Sequence, residues 1–237
     1  MTVMEAWYAL SFKKKVNKYE MDMCRGPILK KMLIYAIPLM CSSILQLMFN
    51  AVDIVVVGKF AGDNSLAAVG SNTSIIGLIT NLFVGLSVAA NVLVARFYGA
   101  KDEKALEQTV HTSMLLSLFS GIILSIIGVA GAKWILVLMQ TPEDVLPLAT
   151  LYLRIYFLGM AATMIYNFGS AILRGVGDTK RPLYFLFGAG IVNVILNLLF
   201  VIVFHMDVAG VAIATVISQC ISAFLIVRCL MKENSGI

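Results

Sequence analysis

Charge is what this sequence has least of. Only 13% of its 237 residues are Asp, Glu, Lys or Arg, against about a quarter in an ordinary soluble domain. That scarcity excludes a water-soluble globular fold, because a chain of this size has too few polar groups to cover its surface. It also excludes a disordered chain, since 60% of the residues are apolar. Cysteine is sparse and scattered. Cys24, Cys41, Cys220 and Cys229 show no CxxC or Cys/His spacing, which excludes a disulfide scaffold and leaves them as inert small hydrophobes. The two histidines, His111 and His205, lie far apart with no metal-ligand spacing around either and read as structural or solvated groups. The abundant apolar surface must therefore face a lipid bilayer.

Apolar runs long enough to cross that bilayer fall near residues 32–57, 73–97, 110–131, 146–173, 183–204 and 208–231. The expected fold class is all-α: a polytopic membrane protein built as a six-helix transmembrane bundle. Residues 1–26 read as a cytoplasmic N-terminal extension, 27–232 as the membrane bundle and 233–237 as a short cytoplasmic tail. Thr141-Pro142-Glu143-Asp144 has the composition of a helix N-terminus, with a capping hydroxyl, a proline for the first turn and two acids. Pro182 opens the fifth run in the same way. Pro38, inside the first run, predicts a kink.

Orientation follows from the basic residues, which hold loops on the cytoplasmic side. Lys13, Lys14, Lys15, Lys18, Arg25, Lys30 and Lys31 precede the first span. Arg96, Lys101, Lys104, Arg174, Lys180, Arg181, Arg228 and Lys232 fall on the same side, while only Lys59 and Lys133 fall opposite. Both termini are thus expected in the cytoplasm, which requires an even number of spans. Arg154 stands apart, a few turns into the fourth run, where it can snorkel to the outer interface or pair within the bundle. The net charge of +5 is accounted for by topology, so no nucleic-acid partner is implied. The N-terminal Trp7 to Phe12 stretch precedes its lysines, the reverse of a secretory signal. It reads as an interfacial aromatic-basic segment or as an unstructured extension, with Met21 or Met23 as an alternative start.

Against this apolar background one embedded carboxylate stands out. Asp53 lies toward the outer end of the first run, and Gln46, Asn50 and Asp53 share a helix face. An ionised carboxylate in hydrocarbon costs about 2.5–3.5 kcal/mol on insertion scales, so it calls for a function more strongly than an amide does. Amides and hydroxyls also serve as glue between membrane helices. Asn193 and Asn197 lie on one face of the fifth run, and Thr215, Ser218, Gln219 and Ser222 on one face of the sixth. The three stripes can converge in the outer half of the bundle. Their oxygens suit Na⁺, and a desolvated aspartate suits proton exchange. Thr80, Ser87 and Asn91 in the second run, and Tyr152, Tyr156, Tyr166, Asn167 and Ser170 in the fourth, can line a cavity, although interfacial belts and helix packing explain them equally well. The glycines of Arg174-Gly175-Val176-Gly177-Asp178-Thr179-Lys180-Arg181-Pro182 lack Walker spacing, so this stretch reads as a tight turn and an ATP-driven pump is disfavoured.

Several of these segments together resemble the multidrug and toxic compound extrusion (MATE) transporters. They are Gly26-Pro27-Ile28-Leu29, Leu45 through Asp53, Val57-Gly58, Leu66-Ala67-Ala68-Val69-Gly70, Leu173 through Thr179, and Asn193 through Phe200. The resemblance covers nearly everything from Gly26 to Met231. It implies one six-helix lobe of a two-lobe alternating-access antiporter, in the cell membrane, exporting cationic amphipathic compounds in exchange for Na⁺ or H⁺, with no enzymatic chemistry and no cofactor beyond that ion. It assigns ion coupling, including a Na⁺ site, to Asp53, Asn193, Asn197 and Thr215, and leaves Gln46, Phe49, Asn50, Asn91, Tyr166 and Gln219 as cavity-lining candidates. Many members carry a second carboxylate where Asn197 stands and a tyrosine where Phe49 stands. The chain ends just after its sixth span and reads as the N-terminal lobe alone, whose partner is a C-terminal lobe or a second copy. The alternatives are a lipid-linked-precursor flippase of related fold, which calls for a basic central cavity, and a non-transporting membrane subunit or remnant.

Overall fold

A segment with apolar side chains on every face has no water for its backbone inside a bilayer, so its N–H and C=O groups must pair within the segment. The computed structural model describes residues 27–234, and among them every regular element is a helix. Three long helices come first: α1 (Ile28–Phe60), α2 (Asp63–Ala100) and α3 (Glu103–Leu138). Two shorter ones, α4 (Leu146–Leu158) and α5 (Met160–Gly175), are followed by α6 (Lys180–Leu198), a π-helical turn (Leu199–Val203) and α7 (Asp207–Asn234). Five of these stretches are individually long and apolar enough to cross a membrane, and α4 with α5 makes a sixth, bent by 48°. The all-α polytopic bundle expected from the apolar runs is the architecture found. The aromatic-basic stretch before residue 27 and the end of the tail lie outside the described residues.

The helices outrun the apolar segments that predict them. Residues 63–72, expected in a connection, belong to α2, and α3 extends seven residues beyond both ends of the 110–131 run. The 38 residues of α2 span about 57 Å, nearly twice the roughly 30 Å hydrocarbon layer. Hydropathy marks the most apolar stretch, whereas the helix continues through polar residues such as Ser65 and Asn72, which are buried in the protein. α1 remains a single helix through Pro38, and the Ser42 hydroxyl bonds to the Pro38 carbonyl at 2.9 Å.

The start of α4 differs from expectation. Thr141 is used to close α3: its N–H reaches the Leu136 carbonyl at 3.1 Å, and Gln140, at φ +56°, donates to Val137. That is a Schellman closure with a non-glycine residue in the left-handed position. Glu143 and Asp144 then form a turn, and α4 begins at Leu146 behind an uncapped Val145, with Pro147 rather than Pro142 in the first turn. The fourth run, expected as one span, is bent at Gly159. Val216 of α7 stands where a side chain on that glycine would project, 2.7 Å away, so the small residue both allows the close packing and breaks the helix.

α5 forms the centre of the lobe. Met160, Met164, Phe168, Ile172 and Leu173 are all buried, and the helix packs on α2, α3 and α7. At Gly121 of α3 an added Cβ would lie 2.5 Å from the Ala161 Cα, so the two backbones touch there. α3 meets α2, α4 and α5 but neither α1, α6 nor α7, which puts it on the opposite side of the lobe from α1 and α6. Amides and phenols tie the helices through backbone carbonyls: Asn72 to Ala149 and Asn91 to Ala171 at 2.9 Å, and Tyr35 to Arg174 at 3.0 Å. The glycine-rich turn between α5 and α6 is also a Schellman closure, with Gly177 at φ +91° and Asp178 N–H bonded to the Leu173 carbonyl. The buried Asp178 carboxylate accepts from the Lys180 and Arg181 N–H groups and pairs with the Arg181 guanidinium. That guanidinium in turn donates to Cys229 Sγ at 3.2 Å, so Cys229 is an acceptor rather than an inert filler.

Candidate functional site

A buried carboxylate is tolerated only where donors satisfy it. Asp53, seven residues before the end of α1, is 7% exposed. The donor comes from α6, where four-residue spacing puts Asn193 and Asn197 one above the other on a buried face. Asn197 Nδ2 donates to Asp53 Oδ1 and also, at 3.2 Å, to Asn193 Oδ1. Asn193 Nδ2 donates to Thr215 Oγ1 of α7 at 3.3 Å, and the Thr215 hydroxyl donates to the Val211 carbonyl at 2.9 Å. One polar chain thus crosses α1, α6 and α7. Its one loose end is Asn197 Oδ1, a buried acceptor with no partner.

The expected convergence of three stripes is therefore present for Asp53, Asn193, Asn197 and Thr215. All four lie near the ends of their helices on one side: Thr215 is eight residues into α7, about 12 Å along its axis. The stacked Tyr152 and Tyr156 of α4 have ring centroids 6.3 Å apart. Tyr152 is buried, so this pair belongs to the lobe interior rather than to an interfacial belt.

The cavity-lining candidates divide. Gln46 and Asn50 are exposed on α1, and Gln219 is half-buried on α7 one turn from Thr215. Phe49 lies against Gly190 of α6, where a Cβ would meet the ring at 1.9 Å, so that glycine lets α1 approach α6 beside the cluster. Asn91 and Tyr166 are placed elsewhere. Asn91 bridges α2 to the Ala171 carbonyl of α5, and the buried Tyr166 donates to the Pro182 carbonyl at 3.1 Å, so both act as interhelical ties away from the Asp53 cluster. Ser87, Ser218 and Ser222 bond within their own helices. Arg154 is exposed on α4. Among the described residues no basic side chain pairs with Asp53.

A family model described as MatE matches residues 38–199, the stretch from Pro38 to the end of α6. This chain belongs to the MATE transporter family. It is 33% identical over 204 residues to the probable multidrug resistance protein YpnP of Bacillus subtilis (strain 168), covering 86% of this chain and 46% of that protein. It is 32% identical over 209 residues to the probable multidrug resistance protein YoeA of the same organism, with 86% and 45% covered. A crystal structure of MATE in the bent conformation superposes with a TM-score of 0.81 at 28% identity, covering 88% of this chain and 46% of that one. The MATE chain described here thus spans about half the length of the curated relatives it matches. Its relatives are multi-pass membrane transporters and not enzymes.

Proposed function

We propose that this MATE lobe takes part in exporting cationic amphipathic compounds across the cell membrane in exchange for Na⁺ or H⁺, with Asp53, Asn193, Asn197 and Thr215 as the ion site. The observation that carries the reading is a membrane-embedded carboxylate held by neutral donors alone, with no Lys or Arg paired to it among the described residues. Such a group gains most from a small cation or a proton. The partnerless Asn197 Oδ1 supplies a second hard oxygen beside it, the ligand type that alkali and other hard cations prefer. Ion arrival would compete with the Asn197 bond and so bias the packing of α1 against α6, which is the coupling that an antiporter needs.

In this reading both termini are cytoplasmic, as the basic loops require. The exposed Gln46 and Asn50 face the substrate path, which is completed by a C-terminal lobe or a second copy of the chain. A flippase for lipid-linked precursors would need a basic cavity beside the polar cluster; among the described residues no Lys or Arg pairs with Asp53, and Arg154 is exposed on α4.

The test places residues 27–232 in the N-terminal half of a full-length relative and follows ethidium efflux from proteoliposomes under an imposed Na⁺ or proton gradient. Efflux should depend on one gradient and vanish with Asp53→Asn while protein yield is unchanged. Gradient-driven efflux surviving that substitution would sink the ion role of Asp53.

A further inference from the structure

Three cations escape the cytoplasmic bias: Lys59, Lys133 and Arg154. Two of them meet. Lys133 of α3 and Arg154 of α4 line one open groove of about 500 Å³, together with Leu146, Pro147, Thr150 and Leu151. Both charged side chains are exposed, and among the described residues neither makes an ion pair. Glu143 and Asp144, in the connection between α3 and α4, pair with neither.

The position of the groove decides what it meets. α3 packs on α2, α4 and α5 alone, and Lys133, Leu151 and Arg154 are exposed, so the groove opens on the outer surface of the α3–α4 pair, a surface that meets lipid in a membrane-spanning bundle. Lys133 lies five residues before the end of α3 and Arg154 eight residues after the start of α4, about 8 and 12 Å from the same connection. That depth is the level of headgroups and the first acyl carbons. Trp134, next to Lys133 and 72% exposed, is an interfacial anchor at the same height. Two lipid-facing cations without a protein counter-charge are costly unless the lipid supplies one.

We propose that this groove binds the headgroup of an anionic phospholipid, its phosphate between Lys133 and Arg154 and its acyl chains along Leu146 and Leu151. The inference rests on the membrane-spanning reading of the chain and is independent of ion coupling at Asp53.

The test uses the whole 237-residue chain, purified in micelles doped with equal amounts of phosphatidylglycerol and phosphatidylcholine. Native mass spectrometry then counts the lipid retained. Phosphatidylglycerol should be held over phosphatidylcholine by roughly thirty-fold, given two cations at the membrane surface. Lys133→Gln with Arg154→Gln should bring the two lipids to parity, and Lys133→Arg with Arg154→Lys should keep the preference. Should the double-neutral protein not survive purification, adding NaCl to the native chain reads the same contact, since an ionic preference must fall with salt. Parity in the native chain, or a preference unmoved by both charge removal and salt, overturns the proposal. Displacement of the lipid by millimolar inorganic phosphate would assign the groove to a free anion and overturn it equally. Because no step measures transport, failure here leaves the ion-coupling reading standing, and the reverse holds too.

Discussion

The side-chain amide of Asn197 donates to the carboxylate of Asp53, joining α6 to α1 across 144 residues of chain. The same amide nitrogen also serves Asn193, so one NH₂ group holds two acceptors while its own carbonyl oxygen holds none. Whatever neutralises Asp53 weakens the first bond and frees the amide to turn.

Removing that donor should be felt in stability. Asn197→Leu keeps the volume but leaves the carboxylate short of a donor, at a cost of about 1–3 kcal/mol. For a chain of this size that lowers Tm by about 2–4 °C per kcal/mol, readable by thermal unfolding in detergent. An unchanged Tm would mean that the bond contributes nothing.

Asn197→Asp should convert the site into a stronger cation binder. Two carboxylates within hydrogen-bonding distance repel unless a cation or proton lies between them. The variant should therefore show a larger rise of Tm in NaCl relative to choline chloride than the native chain shows. Equal responses would remove Na⁺ from consideration at this position.

Gly121→Ala should weaken the lobe by about 1–3 kcal/mol, as overpacked cores do, because the new methyl meets the backbone of Ala161 rather than a movable side chain. Gly77→Ala in α2 is the matched control: nothing lies within 4 Å of its added Cβ. There the gain in helix propensity should leave stability equal or higher. The comparison of the two melting curves isolates close packing from propensity.

Asp178→Ala should open the turn between α5 and α6. It strips three hydrogen-bonding partners from Asp178 at once, two backbone N–H groups and the Arg181 guanidinium, and leaving buried donors short of an acceptor costs about 1–3 kcal/mol each. Limited proteolysis should then nick near Gly177, a site the native turn protects. Asp178→Asn, which retains an acceptor for the two backbone N–H groups, should be cut more slowly.

The polar cluster was legible because a carboxylate in an apolar run must find donors on its neighbours, and because four-residue spacing fixes which faces of α1, α6 and α7 carry polar groups. Asn91 and Tyr166 were not separable from cavity residues on those grounds. Their acceptors are the backbone carbonyls of Ala171 and Pro182, and a carbonyl is present at every residue and leaves no mark in the sequence. The ends of α2 and α3 were hidden for a different reason: a helix that continues through polar residues beyond its apolar stretch has no hydropathy signal. The bend at Gly159 was equally silent, since glycine is common in membrane helices whether or not they bend. The contact of Arg181 with Cys229 depends on how α6 docks against α7, which no local pattern encodes.

The π turn at Leu199–Val203, closed by the Phe204 N–H on the Leu199 carbonyl, is a helical turn that carries one residue more than an α turn needs. Deleting any one of those five residues would let the segment relax to an α turn with its flanks nearly in place. The same deletion in α5 would rotate everything beyond it by about 100° and turn its buried face to lipid. The C-terminal end of α6 is thus where this lobe has room to gain or lose length.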